Sequence, residues 1–355
     1  MKRILALVLA LCLLLCGCSN WIDGSYSAVT PHTEPSNHGQ RPTIAVYSYA
    51  ELTAALSAII ENGTESSILS LQYGTDETNR RDVELAVREV QNRNPYAAYA
   101  VESIGYVFGA SGGRNAVNVR VAYLPNRVRM DKIQMVQTAA EARRIVTQRL
   151  DECSPGVVLY FDIAGQIDYV QLVEDYAQEN PQMVMEKPEV TVSLYPEQGQ
   201  PQIVELKFTY QTSRVELRTM QNKVSPVFTS AQQYVAGSWS AAEKCLRLYT
   251  FLMERYDYNI QTSITPAYSL LLHGVGDSRA FAVVYGAMCR QADIECRVVT
   301  GTRDGVPWVW NVLKINETYY FLDLLRCNQT GVFTLYQQDE MDDYVWDYSA
   351  FPMEK

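Results

Sequence analysis

Histidine and cysteine carry much of the nucleophilic and proton-transfer chemistry available near neutral pH, and this 355-residue chain holds three of the first and eight of the second. Two histidines, His32 and His38, lie in a stretch rich in Ser, Thr, Pro, Asn and Gly, which leaves His273 as the one imidazole of the main body. A hydroxyl or thiol nucleophile there has little to draw on as a general base. Beyond the N-terminus the cysteines are Cys153, Cys245, Cys289, Cys296 and Cys327, odd in number, scattered and without a Cys-x-x-Cys pair. That spacing spells neither a disulfide framework nor a zinc site; an exported chain can close one bridge, but spacing does not select it. The run Gly109-Ala110-Ser111-Gly112-Gly113 lacks the strand-loop-helix setting of a phosphate cradle and reads as a hairpin loop. No metal or cofactor is expected.

The elements that must position any site form an α+β chain with an internal repeat at an offset of about 86–90 residues. Ser48-Tyr49-Ala50-Glu51 and Thr138-Ala139-Ala140-Glu141 are capping boxes that start equivalent helices. An apolar run follows each, Ile68 to Leu71 and Val157 to Phe161, and reads as a buried strand. Second helices run from near Asp82 to Asn94-Pro95 and from Asp168 to Asn180-Pro181, where proline ends them. Alternating strands close each copy, Asn118 to Tyr123 against Glu205 to Tyr210, and Arg127-Val128 against Arg214-Val215 extends the match at an offset of 87. We expect two tandem α+β modules, residues 43–131 and 132–222, then a linker over 223–237 around Pro226. A third capping box, Ser240 to Glu243, opens a last domain spanning 238–355.

In that last domain the order of segments is similar to a known family. Glu254-Arg255-Tyr256-Asp257-Tyr258 precedes the turn Gly274-Val275-Gly276-Asp277-Ser278-Arg279-Ala280-Phe281-Ala282, which opens a core helix. Ala292 to Gly301 makes the following strand, then come Trp308-Val309-Trp310-Asn311, a hairpin at Asn316-Glu317, and Tyr319-Tyr320-Phe321-Leu322-Asp323. The series resembles the transglutaminase-like domain, which implies a papain-like fold over about 110 residues, including the tail Glu340 to Asp347.

Carried over from the resemblance, the family's nucleophilic Cys falls on Ser278, its His on Trp308 and its Asp on Asp323. A thiol at a helix N-terminus beside an imidazolium ionises from a free value of about 8.5 down to as low as about 3.5. A serine hydroxyl has to be deprotonated by a base during attack, and the indole nitrogen of Trp308 is a donor only. His273, five residues before Ser278, is expected as a turn or surface residue. The resemblance therefore implies a degenerate triad with no catalytic residue, with Trp308 and Trp310 as candidate ligand platforms.

Lys2-Arg3, an apolar run from Ile4 to Leu15 and Leu15-Cys16-Gly17-Cys18 read as a secretion signal. The tetrad resembles the lipobox of bacterial lipoproteins, which implies cleavage after residue 17 and a lipidated Cys18. Residues 19–42 are then a flexible tether. The expected location is the extracytoplasmic face of the cell membrane, held by the lipid. A formal charge of -10 with both signs interspersed excludes a nucleic-acid partner. The expected function is binding of a peptide, glycan or protein, or scaffolding at the envelope. The alternatives are a serine hydrolase or peptidase using Ser278 and a purely structural component.

Overall fold

A computed structural model describes residues 43–109, 115–127, 129–161, 167–259 and 266–348. The signal, Cys18, the tether and most of the Gly109–Gly113 loop lie outside the described residues.

The two expected modules have the same sheet. In the first, β1 (Thr43–Val46), β2 (Ser66–Leu71), β3 (Val101–Phe108) and β4 (Ala116–Tyr123) pair in the order β1-β2-β4-β3. In the second, β5 (Gln134–Val136), β6 (Gly156–Phe161), β7 (Glu189–Tyr195) and β8 (Gln202–Thr209) pair as β5-β6-β8-β7. The first pair of each sheet is parallel and the others antiparallel. Register makes the equivalence residue by residue: Val46 faces Leu71 where Val136 faces Phe161, and Leu69 faces Val117 where Leu159 faces Val204.

The expected capping boxes start α1 (Tyr49–Glu61) and α4 (Ala139–Asp151). Ser48 and Thr138 accept from the amides of Glu51 and Glu141, and both glutamates reach one residue further back than the cap, to the amides of Tyr47 and Gln137 at 3.0 Å. Neither closes as a capping box, which needs the glutamate on the amide of the cap residue itself; the cap oxygens alone satisfy helix-end donors. The second helices are α2 (Asp76–Arg93), which starts two turns earlier than the sequence suggested because Thr75 caps it, and α5 (Tyr169–Glu179), capped by Asp168.

The copies differ where proline follows. Pro95 does not merely end α2; it is the first residue of a short helix, α3 (Pro95–Ala100), whose cap Asn94 accepts from the amides of Tyr96 and Ala97. Proline suits that position because its fixed φ is helical and the missing N–H is not needed there. α3 seats the first module on the second: Tyr96 stacks on Tyr160 at 5.3 Å, and Tyr99, wholly buried, meets Tyr195 edge-on at 5.4 Å.

Residues 223–237 do not form a linker. They belong mostly to α6 (Arg214–Gln233), which runs through Pro226 and buries Leu217, Val224, Phe228 and Ala231 in the C-terminal core. Pro226 lies on the exposed side, so the lost backbone donor faces water while the apolar stripe stays packed. Arg214, matched in sequence to Arg127, thus opens a helix rather than closing a module, and the second module gives way to the last domain earlier than residue 222.

The last domain adds α7 (Ala241–Met253), α8 (Pro266–His273), the core helix α9 (Ser278–Gln291) and α10 (Leu324–Thr330). α9 packs on an antiparallel sheet in the order β13-β12-β11-β14, formed by β11 (Glu295–Arg303), β12 (Val306–Ile315), β13 (Thr318–Leu322) and β14 (Tyr344–Trp346). Asn316 and Glu317, both at positive φ, make the two-residue turn between β12 and β13 that the sequence predicted. Residues 281 to 289 of α9 are buried without interruption, as a central helix requires.

Candidate functional site

The turn before α9 is built for close approach. Asp257 and Tyr258 form β9 (Asp257–Tyr258), which pairs in parallel with β10 (Val275–Gly276). A Cβ on Gly276 would meet the Ala280 Cβ at 2.8 Å, so only glycine fits between strand and helix. Asp277 caps α9 by accepting from the Ala280 amide at 2.8 Å, which makes Ser278 the first helical residue. A thiol at this position would have the helix N-terminus to stabilise its anion. The Ser278 hydroxyl, 8% exposed, instead accepts from the Val309 amide at 3.3 Å.

The structure brings the other two positions together. Trp308, half-buried on β12, donates its indole N–H to Asp323 Oδ2 at 2.8 Å. The indole nitrogen is a donor only and offers no lone pair to a neighbouring hydroxyl. Asp323 is 1% exposed and fully engaged. Oδ2 also accepts from the Tyr344 hydroxyl at 2.6 Å and Arg303 at 3.4 Å, while Oδ1 caps α10 through the amides of Leu325 and Arg326 at 2.9 and 3.1 Å. Burial first, and then the Asp323 charge, push the Tyr344 phenol well up, so it stays protonated and donating. Arg303 further binds Asp343, which also receives Arg326, and the Arg303 guanidinium lies 5.7 Å from the centres of both the Trp308 and Tyr344 rings. Tyr258 leans on the outer part of Trp308 at 5.8 Å.

One sequence expectation changes. Trp310 is no ligand platform: it is 1% exposed and packed edge-on against Tyr344 at 5.0 Å and Trp346 at 5.7 Å. Tyr344 and Trp346 come from β14, which pairs with β11, and Gly301 leaves room for the Trp310 ring, since a Cβ there would lie 2.8 Å from Trp310 Cη2. Asp323 is a hydrogen-bonding residue that ties β12, β14 and the start of α10 together. His273 is an exposed residue at the end of α8 against the Tyr268 ring, as expected of a turn histidine.

Sequence reasoning missed Tyr344, Arg303, Arg326 and Tyr258. Tyr344 follows the acidic pair Asp342-Asp343 in the tail, and Arg303 precedes the Asp304-Gly305 turn. Those are the local cues, but neither reveals a carboxylate twenty residues away. A cavity of about 380 Å³ lies between the second module and the last domain, with Glu174, Lys187, Arg279 and Val283 on its wall but none of Ser278, Trp308 and Asp323.

Residues 229–328 match the model of the transglutaminase-like superfamily, which places a transglutaminase-like domain in the C-terminal part of the chain. No curated protein matches. Among solved structures, a TGase is 9% identical, with 62% of this chain and 63% of that one covered at a TM-score of 0.27. A provisionally assigned cysteine protease from Cytophaga hutchinsonii is 14% identical, over 47% of this chain and 69% of that one, also at 0.27. A provisionally assigned protease from Parabacteroides distasonis is 11% identical, over 72% of this chain and 39% of that one, at 0.24. The chain thus spans less than two thirds of the first and third of these, and likeness at such scores carries no argument about what it does.

Proposed function

Starting from a transglutaminase-like domain over residues 229–328, we propose that this chain is a lipid-anchored extracytoplasmic protein in which that domain performs no acyl transfer and serves as a scaffold or binding unit at the cell envelope. The observation that carries the reading is the 2.8 Å bond from Trp308 Nε1 to Asp323. An indole there keeps the architecture of the dyad and removes its basicity. Ser278 then has a buried hydroxyl without a base, and a hydroxyl without a base is a poor nucleophile. The sequence around Cys18 supports the anchor, and the two modules before the domain suit display away from a surface.

Three measurements test this. Ser278→Cys with Trp308→His restores the missing groups, and we expect the introduced thiol to react with iodoacetamide at neutral pH several-fold faster than in Ser278→Cys alone; equal rates would overturn the alignment of the triad. A fluorophosphonate probe should leave Ser278 unlabelled, whereas labelling would establish a serine hydrolase. In a bacterial host, the wild type should partition into the detergent phase and Cys18→Ala into the aqueous phase; equal partition would remove the anchor.

A further inference from the structure

Glu186, between α5 and β7, is 7% exposed and takes the amides of Gln211 and Thr212 on its two carboxylate oxygens at 2.6 and 3.0 Å. Among the described residues it enters no ion pair. Its chain neighbour Lys187 turns instead to Glu174 on α5, which also faces Arg279 of α9 at 3.7 Å. Glu174 therefore has two cations and Glu186 has none. Two amides hold a turn, but a carboxylate has about four lone-pair sites, and keeping its charge out of water is costly until a cation answers it.

All four charged groups line the cavity of about 380 Å³ between the second module and the last domain. A neighbouring cavity of about 450 Å³ shares Glu174, Glu186, Lys187 and Gln211, so the two are parts of one groove along α5. The first falls within the range of small-molecule sites, about 300–1,000 Å³, which favour domain junctions. The rest of its wall includes small aliphatic groups: Ala177 and Val184 from the second module, Ala267 from α8, and Val283, one turn from Arg279 on α9.

We propose that this cavity binds a short peptide with both ends free, its ammonium on Glu186, its carboxylate between Lys187 and Arg279, and its small side chains against Val184, Ala267 and Val283. A zwitterion answers both imbalances at once. It supplies the cation that Glu186 lacks and gives Lys187 and Arg279 a second carboxylate to share. A simple anion would add negative charge beside an unanswered carboxylate, and a simple cation would leave two cations on Glu174 alone. The walls come from two parts of the chain, so an occupant also ties the second module to the last domain. The cavity contains none of Ser278, Trp308 and Asp323. Its failure therefore leaves the reading of those positions untouched.

The test is calorimetric titration of the full chain with trialanine and with its N-acetyl and C-amide forms. Trialanine should bind with a Kd below about 1 mM, and blocking either end should weaken binding at least about tenfold, as a site built around a polar group rejects an analogue that lacks it. Glu186→Gln should weaken trialanine by a similar factor and leave the N-acetyl form unchanged, because that form does not use the carboxylate. Arg279→Gln should do the same with respect to the C-amide form. A residue that only supports the fold would weaken every peptide alike. If Glu186→Gln does not fold, Arg279→Gln and the blocked peptides on the wild type decide the matter. No saturable binding of trialanine would overturn the proposal, as would equal affinity for the blocked forms or tighter binding of alanine than of trialanine.

Discussion

At the scale of single residues, Asp323 is the group on which most of the site converges. Each of its oxygens has at least two donors, one of them the Trp308 indole. Removing the carboxylate would leave Arg303, itself only 19% exposed, without its buried partner, and we expect Asp323→Ala to cost about 3–5 kcal/mol. Trp308→Phe keeps the ring and deletes one donor of several; a charged hydrogen bond of this kind contributes about 1.5–3 kcal/mol. Urea unfolding with an unchanged m-value checks both, and a smaller loss for Asp323→Ala than for Trp308→Phe would deny the carboxylate its role. The series of segments that surrounds Ser278, Trp308 and Asp323 was legible in the sequence, and the structure brings Trp308 and Asp323 into contact. Tyr344 and Arg303 were not legible, since their shared partner is set by the register of β14 on β11, which no local pattern encodes. Trp310 was misread because alternation places it on the same side of β12 as Trp308 and says nothing of what covers that side.

Among the elements, α6 shows where local rules yield to packing. Proline disfavours a helix interior by about 3 kcal/mol relative to alanine, and the sequence around Pro226 reads as a break for that reason. The apolar stripe from Leu217 to Ala231 meets a core that exists only once the last domain has folded, so its weight was not legible locally. Because Pro226 is exposed, Pro226→Ala restores a backbone bond without disturbing packing. It should raise stability by up to about 3 kcal/mol, read as a higher denaturation midpoint; no gain would mean that proline sets a bend the core needs. The cap residues Ser48, Thr138 and Ser240, the closed capping box at Ser240 and the repeated strands, in contrast, were read correctly from sequence. Their determinants lie within four residues or in a period of two, whereas α3 was hidden inside a proline taken for a stop.

For the whole molecule, the first two modules are joined around Arg127. Its guanidinium lies 4.9 Å from the ring centres of Tyr99 and Tyr195, one from each module, and pairs with Glu205 at 2.7 Å with both side chains mostly buried. Arg127→Met strands the Glu205 carboxylate and should cost about 3–5 kcal/mol, with the first module melting separately in calorimetry. Arg127→Met with Glu205→Leu should recover most of that loss, and an equally unstable double variant would show that the charge pair is not the cause. Alkali should act on the modules as well. Burial pushes Tyr123 and Tyr169 from 10.0 up to about 12. A phenol whose folded value is raised contributes stability that is fully present below pH 10.0 and lost as the pH climbs through about 12. Circular dichroism should therefore stay flat to about pH 10 and fall together with the rise in phenolate absorbance; unfolding complete below pH 10 would contradict it.

The parallel pairing of β1 with β2 has a mechanical consequence. β1 is only four residues long and is the first described strand, so tension reaching the body from its N-terminal side enters at Thr43. In a parallel pair that tension runs along the strands and loads their cross-links together in shear, instead of peeling them one after another. The first module then yields late and all at once under stretch, and the domain behind it is spared the load until that happens.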